Sequence, residues 1–279
     1  MNSSVLERPI YHDAADTIAT RGFAEIDIDP SILAEHMPII RDGMRTMTND
    51  ASIHEIFAQQ ILKQDEMGWD QEAGLIYRDD AERKYFFHYQ SPPAIWPFPD
   101  DATQKRFTPF LESCKALTTQ ARMYAQLVAF HFEREYGISL SRNVTDANAV
   151  TRVLRYLPLV GNRAGNADAY AHMDRAFFTI HWWASEEGLV LFDREGASHR
   201  IAEKAWDRVA IFPGKKFYGL TGGKYGMSGI HGVRDSRTER TDDRIAIVTF
   251  VHATLTPKAV DCIKDNRQAF KVAEKCCAL

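Results

Sequence analysis

No run of 18 consecutive apolar residues occurs anywhere in this 279-residue chain, which excludes a hydrophobic membrane-spanning helix. Neither charge sign dominates. Lysine and arginine number 34 against 38 aspartates and glutamates, for a net charge of −4. The chain therefore lacks the basic excess of a protein that binds nucleic acid through charge. Cysteine is scarce. The four residues, Cys114, Cys262, Cys276 and Cys277, form no Cys-x-x-Cys pair, and Cys276-Cys277 are too close together for an easy structural bridge. A reducing compartment, the cytoplasm, is the expectation. No thiolate-stabilising neighbours surround the vicinal pair, which argues against a redox role. The first eight residues hold no basic segment leading into an apolar stretch, so no signal peptide is expected. Repeats and low-complexity tracts are also missing. What is present, 45% hydrophobic and 26% charged residues, is the composition of an ordinary globular chain.

Hydrophobic periodicity changes midway. The first half reads as mostly helical, with a short helix over 14–20 closed by Arg21-Gly22. Residues 23–28 alternate apolar and polar as a half-buried strand does. Asp29 is a candidate N-cap with Pro30 at the first helical position, and that helix should reach Met47. The longest helical pattern covers 101–136, where Phe110, Cys114, Leu117, Ala121, Tyr124 and Val128 recur at three- and four-residue steps. Pro109 is expected to kink or restart it, and Gly137 to end it. Prolines punctuate a loop over 90–99. In the second half, short strands are expected at 149–156, 177–183, 188–192, 208–212, 216–220 and 244–252. Turn signals separate them at Gly161-Asn162, Gly165-Asn166, Glu195-Gly196, Pro213-Gly214 and Thr221-Gly222-Gly223. Many short strands at this spacing imply a barrel or sandwich. The expected organisation is one domain over 1–279: a mostly helical part to 148 with a few strands, a β-core over 149–256 and a C-terminal helix over 257–279.

Among ten histidines, His36, His54 and His131 sit in helical patterns as packing or surface residues, and His12, His199 and His252 have no acidic neighbour at ligand spacing. Tyr170-Ala171-His172-Met173-Asp174 is different. In a strand, residues two apart share a face, so His172 and Asp174 offer an imidazole and a carboxylate side by side. His231 follows at the end of another candidate strand. Two histidines and one carboxylate leave metal positions open, which is the ligand set of non-haem Fe(II) oxygenases. A lone His-x-Asp also arises by chance. Arg244 opens the strand Arg244–Phe250. Facing an apolar interior it needs a partner. That partner is either a bound dicarboxylate held by a bidentate guanidinium, or Asp242 or Asp243 bridged at a partly exposed position. The chemistry alone leaves both open.

Several segments in order sharpen this. They are Arg21-Gly22-Phe23, Arg155-Tyr156-Leu157-Pro158, His172-Met173-Asp174 with Phe178-Thr179-Ile180, Gly188-Leu189-Val190-Leu191, Leu220-Thr221-Gly222-Gly223-Lys224-Tyr225 with Ile230-His231-Gly232-Val233, and Arg244-x-Ala246 with Phe250. Together they resemble the isopenicillin-N-synthase-like branch of the 2-oxoglutarate- and Fe(II)-dependent dioxygenases, over most of the chain. The resemblance implies a mainly β fold with flanking helices around a double-stranded β-helix (jelly-roll) core. It implies that His172, Asp174 and His231 bind Fe(II), that Arg244, with Ala246 and Tyr156 beside it, holds the distal carboxylate of 2-oxoglutarate, and that O₂ is the oxidant. The implied reaction is decarboxylation of 2-oxoglutarate to succinate coupled to hydrogen abstraction from a small-molecule substrate. The protein would supply geometry, charge and exclusion of water. The chain departs from the pattern in three places: Ala246 replaces a serine, Arg155 replaces an asparagine, and a charged loop between His231 and Arg244 is long. Related halogenases lack the carboxylate, so Asp174 favours hydroxylation or desaturation.

Parity places Tyr170, Thr179 and His181 near the site, with Phe250 as a further substrate candidate. His181 stands where relatives carry an aliphatic residue. It either hydrogen-bonds a polar substrate or supports the site from behind. Trp182 and Trp183 should point to opposite faces, one of them into the core. The segment 83–89, rich in aromatic and basic residues, resembles a strand covering the substrate. It would bind an anionic or planar molecule, or else divide between core and solvent. The competing readings are a 2-oxoglutarate-independent Fe(II) oxidase of the same branch, a non-redox cupin-like metalloenzyme, and a silent binding barrel. No nucleic-acid or membrane partner is expected.

Overall fold

The computed structural model describes residues 9–65, 67–78, 84–91, 94–145, 148–158, 169–233 and 242–277. The helices are α1 (Pro9–Arg21), α2 (Pro30–Asn49), α3 (Ala51–Ile56), α4 (Asp101–Tyr136), α5 (Ser141–Thr145), α6 (Lys215–Leu220), α7 (Pro257–Asp265) and α8 (Arg267–Cys276). The strands are β1 (Ala24–Asp27), β2 (Gln60–Gln64), β3 (Asp70–Arg78), β4 (Lys84–Ser91), β5 (Ala149–Tyr156), β6 (Ala169–His172), β7 (Phe178–Ala184), β8 (Leu189–Phe192), β9 (Ser198–Arg200), β10 (Arg208–Pro213), β11 (His231–Val233) and β12 (Arg244–Val251). They form an eight-stranded sheet in the order β1-β10-β7-β12-β5-β4-β3-β2 and a four-stranded sheet in the order β6-β11-β8-β9. All ladders between named strands are antiparallel. Two antiparallel sheets wrapped by helices are the double-stranded β-helix that the family resemblance implied, and agree with the barrel or sandwich that the patterning implied.

One face of the large sheet carries the helices. On α4 the apolar positions Phe107, Phe110, Leu117, Ala121, Leu127, Val128 and Phe132 are all buried, a continuous stripe of period 3.6. That face of the sheet presents Val153, Ile180, Ile245 and Ile247 to the same core. A hydroxyl chain crosses it without leaving an orphan. Thr118 meets Thr151 at 2.6 Å, Thr151 meets Thr249 at 2.8 Å, and Trp182 Nε1 donates to Thr249 at 2.8 Å. Buried hydroxyls are tolerable only when bonded in this way. The opposite face of the same sheet turns toward the small sheet and carries the site.

The few strands of the first half include β2, β3 and β4, which extend the large sheet. Several sequence expectations are corrected. Pro109 lies inside α4, which runs unbroken through it. Proline forfeits one backbone bond there, and the buried flanking rings of Phe107 and Phe110 hold the turn in place. The segment over 216–220 is helix α6, not a strand, with Gly214 at its N-cap. Its aromatic residues imitate strand alternation, yet Phe217 packs on Phe132 and Phe177 from a helical turn. Trp182 and Trp183 are both buried in the same core, because a register shift in the β7–β12 ladder between Ile247 and Val248 interrupts the alternation. The C-terminal helical stretch is two helices, with Asn266 between them. The turn signals at 161–166 and the charged loop 234–241 lie outside the described residues. Asp29 caps α2 as expected, accepting from the Ser31 amide at 2.9 Å.

Candidate metal centre

The small sheet pairs His231 of β11 directly with His172 of β6. Their rings lie 4.4 Å apart between centroids. Asp174 does not continue β6, as strand parity had it. The strand ends at His172, and Asp174 follows in an irregular segment. A backbone clamp fixes it there instead. The Asp174 carbonyl accepts from the Lys215 amide at 2.8 Å, and the Gly214 amide donates to Phe177 O at 3.0 Å. A Cβ on Gly214 would stand 2.7 Å from Asp174 O and 2.3 Å from Ala176 O, so only glycine permits this approach.

The result brings one ligand atom from each of His172, Asp174 and His231 within 4.8 Å of one another. Asp174 Oδ1 is 3.5 Å from His172 Nε2, and its Oδ2 is 3.5 Å from His231 Nε2. His231 Nδ1 is held by the Gly229 carbonyl at 3.1 Å, which makes Nδ1 the donor and leaves Nε2 with its lone pair inward. Thr179 donates to Asp174 Oδ2 at 2.7 Å. Burial opposes charge on Asp174, but His231, His172 and Thr179 outweigh it and hold the carboxyl well below the usual range. Burial pushes the His231 imidazole down to about 4, against the pull of Asp174. An ionised carboxylate and a neutral imidazole are the forms that bind a metal. Two nitrogens and one oxygen converging from one side fit a divalent iron with open positions.

A cavity of about 340 Å³ opens beside these residues. Its wall on the large sheet is built in rows, because directly paired residues of neighbouring strands share a face. One row is Arg78, Lys84, Tyr156 and Arg244, across β3, β4, β5 and β12. A second contains Phe86, Leu154 and Ala246, and a third His88, Arg152, Val248 and His181. Arg244, Ala246, Tyr156, Thr179, His181 and Phe250 all line the cavity. The side chain of Tyr170 lies outside what is described, although its backbone belongs to β6.

Arg244 is fully buried, with its guanidinium 5.2 Å over the Tyr156 ring. Neither Asp242 nor Asp243 is its counter-ion. Arg244 Nη2 bonds Glu203 Oε1, and Nε donates to Glu186 O at 3.0 Å. Glu203 also meets His181 Nε2 at 3.1 Å and accepts from the Leu189 amide at 2.6 Å. Burial raises the Glu203 pKa, but Arg244 and His181 together hold it below the usual value. The sequence reading missed Glu203. It sits in a segment without periodicity, and nothing local marks its carboxylate as inward. Arg155 points the other way, to Asp243 at 2.7 Å, since strand alternation sends odd positions of β5 to the helical face. His199 has an acidic partner after all, Asp193 at 2.7 Å, and His12 lies 3.5 Å from Asp16; both pairs are remote from the cavity residues.

No protein-family model matches the chain, and no curated protein matches it in sequence. Solved structures do match in fold. A full-length Neurospora crassa protein, solved in complex with α-ketoglutarate and thymine, is 14% identical and superposes with a TM-score of 0.67, covering 93% of this chain and 86% of that one. The dioxygenase for auxin oxidation 1 of Arabidopsis thaliana, in its 2-oxoglutarate complex, is 14% identical with a TM-score of 0.66 over 88% of each chain. A protein of Shewanella oneidensis is 17% identical with a TM-score of 0.65, covering 93% and 95%. The fold is that of the 2-oxoglutarate/Fe(II) oxygenases. Among the described residues no helix is long and apolar enough to cross a membrane.

Proposed function

We propose that this chain is a non-haem Fe(II)- and 2-oxoglutarate-dependent oxygenase that hydroxylates or desaturates a small molecule. The observation that carries the reading is the convergence of His172, Asp174 and His231 within 4.8 Å at the mouth of a cavity whose far row holds Arg244. His172, Asp174 and His231 would hold the iron. Arg244 and Tyr156, with Ala246 beside them, would receive the distal carboxylate of 2-oxoglutarate. Iron bound there supplies activation of O₂, coupled to conversion of 2-oxoglutarate to succinate and CO₂ with oxidation of a substrate C–H bond. The chain's own residues do the positioning. Thr179 and the Gly214 clamp orient Asp174, the Gly229 carbonyl orients His231, and Val248, Leu154 and Phe212 keep the interior apolar. The fold neighbours named for auxin oxidation and solved with thymine support a small-molecule substrate.

A second reading has one specific observation behind it. Arg244 already engages Glu203, so the cation expected to meet 2-oxoglutarate is partly neutralised within the protein. That would suit an Fe(II) oxidase of the same fold that uses no 2-oxoglutarate. Anaerobic titration with Fe(II) and then 2-oxoglutarate separates the two. A visible charge-transfer band that saturates with 2-oxoglutarate, followed by succinate formation on oxygenation, is the expected result. Iron binding without that band favours the second reading. No iron binding, or iron binding undiminished in Asp174→Ala, overturns the triad assignment.

A further inference from the structure

Arg152 stands apart from the machinery above. It projects from β5 into the cavity and also lines a second chamber of about 440 Å³. The two chambers share Arg78, Arg152, Phe250, His172 and Asp174, so Arg152 sits where they meet beside the triad. Its guanidinium lies 4.7 Å over the Phe250 ring and 5.1 Å over the Phe86 ring. Nε donates to His88 Nε2 at 2.6 Å. Burial, with the positive charges of Arg152 and Arg78 beside it, drives the His88 pKa well down, so His88 accepts that bond as a neutral ring. The acidic group nearest on β3, Glu72, faces His88 Nδ1 at 3.9 Å. Among the described residues no carboxylate pairs with Arg152 within 4.0 Å. Asp174 and Glu72 act on it only through space, and Asp174 is committed to the triad.

A half-buried guanidinium without a counter-ion is costly, and two rings and one neutral hydrogen bond offset only part of that cost. Arg78, Lys84, Arg152 and Arg244 all line the cavity with Asp174, and Glu203 lies behind Arg244. The ring faces are covered and Nε is used, which leaves the terminal N–H edge, a shape that matches the two oxygens of one carboxylate.

We propose that the primary substrate is a small organic carboxylate, gripped at its acid end by Arg152, with its apolar body against Val248, Phe250 and Leu154. This rests on the oxygenase reading and adds the substrate class. The test uses the anaerobic Fe(II)–2-oxoglutarate protein, titrated with 3-phenylpropionate and octanoate, with their primary amides and with phenyl phosphate. Perturbation of the charge-transfer band and the shift in Tm are the readouts. Both acids should bind more tightly than their amides by about 10- to 100-fold, the worth of a charge-assisted hydrogen-bond pair. Arg152→Gln should erase that difference and Arg152→Lys should keep part of it, with 2-oxoglutarate titration as the control on the rest of the site. Acids binding no better than amides in the unmodified protein overturn the proposal, whatever the variants do. Tighter binding of phenyl phosphate than of either acid overturns the carboxylate class. Failure of 2-oxoglutarate to produce its band counts against the oxygenase reading alone, because the acid–amide comparison can still be read from Tm.

Discussion

Arg244 and Glu203 form a buried ion pair inside the cavity wall, guanidinium on carboxylate, with His181 on the same Glu203 oxygen. The pair sets a carboxylate against a fully buried cation. Glu203→Ala removes that carboxylate from a buried pair, at a cost of about 3–5 kcal/mol. For a chain of this size that is a fall in Tm of roughly 6–20 °C. If Arg244 receives the distal carboxylate of 2-oxoglutarate, the ligand should supply the missing anion. Saturating 2-oxoglutarate should then raise the Tm of Glu203→Ala by more than it raises that of the unmodified protein. Equal shifts in thermal denaturation would remove Arg244 from the co-substrate site.

Thr179 touches the centre only through Asp174, to which it donates at 2.7 Å. Thr179→Val keeps the shape and removes the donor. Outer partners of metal ligands are worth about 10- to 100-fold in affinity. Titration of the apoprotein with Co(II) should show a loss in that range, with the fold retained by circular dichroism. An unchanged affinity would mean that the Gly214–Lys215 backbone clamp orients Asp174 by itself.

Fold and site are legible in the sequence to different degrees from residue to residue. β5 and β12 were legible to within a residue, since both read as long apolar-rich runs bounded by turn residues. His172, Asp174, His231 and Arg244 were legible as an ordered set of motifs. Strand alternation accounts for Asp174 only in part: the backbone clamp of an irregular segment brings it beside His172. β2 and β3 escaped because their polar residues hide the alternation. Glu203 and Arg152 escaped for a different reason. Burial of a charged side chain is set by tertiary neighbours, here Arg244, Phe86 and Phe250, and no local pattern announces it.

Asp243 links three elements. Arg45 of α2 donates to Oδ1 at 2.6 Å, and Arg155 of β5 to Oδ2 at 2.7 Å, while Asp243 itself borders β12. Burial raises its pKa, but the bonds and charge of the two arginines outweigh this and depress it. A depressed carboxylate stabilises the fold above its unfolded pKa, near 4, and that contribution disappears as pH falls through the lower folded value. The Tm of the unmodified protein should thus fall more steeply below about pH 4 than that of Asp243→Asn. Asp243→Asn should be less stable at pH 7, where the pair is intact. Parallel Tm–pH curves would show that Asp243 contributes no net linkage.

Gly229 is tied to the centre through its own carbonyl, which holds His231 Nδ1 at 3.1 Å. Its φ is +79°, and a Cβ there would stand 2.0 Å from Pro213 O. That oxygen is backbone at the end of β10, next to the glycine that clamps Asp174, so it cannot move without disturbing both ligand supports. Gly196 makes the control. It also has positive φ, +86°, but nothing lies within 4 Å of its would-be Cβ. Gly196→Ala should cost only the backbone strain, about 1–2 kcal/mol, and leave metal affinity unchanged. Gly229→Ala should cost more than that in urea denaturation and should also weaken Co(II) binding, because relief of the clash displaces the carbonyl that aims the His231 ring. If the two variants lose the same stability and both keep full metal affinity, the Gly229 carbonyl does not set the orientation of His231.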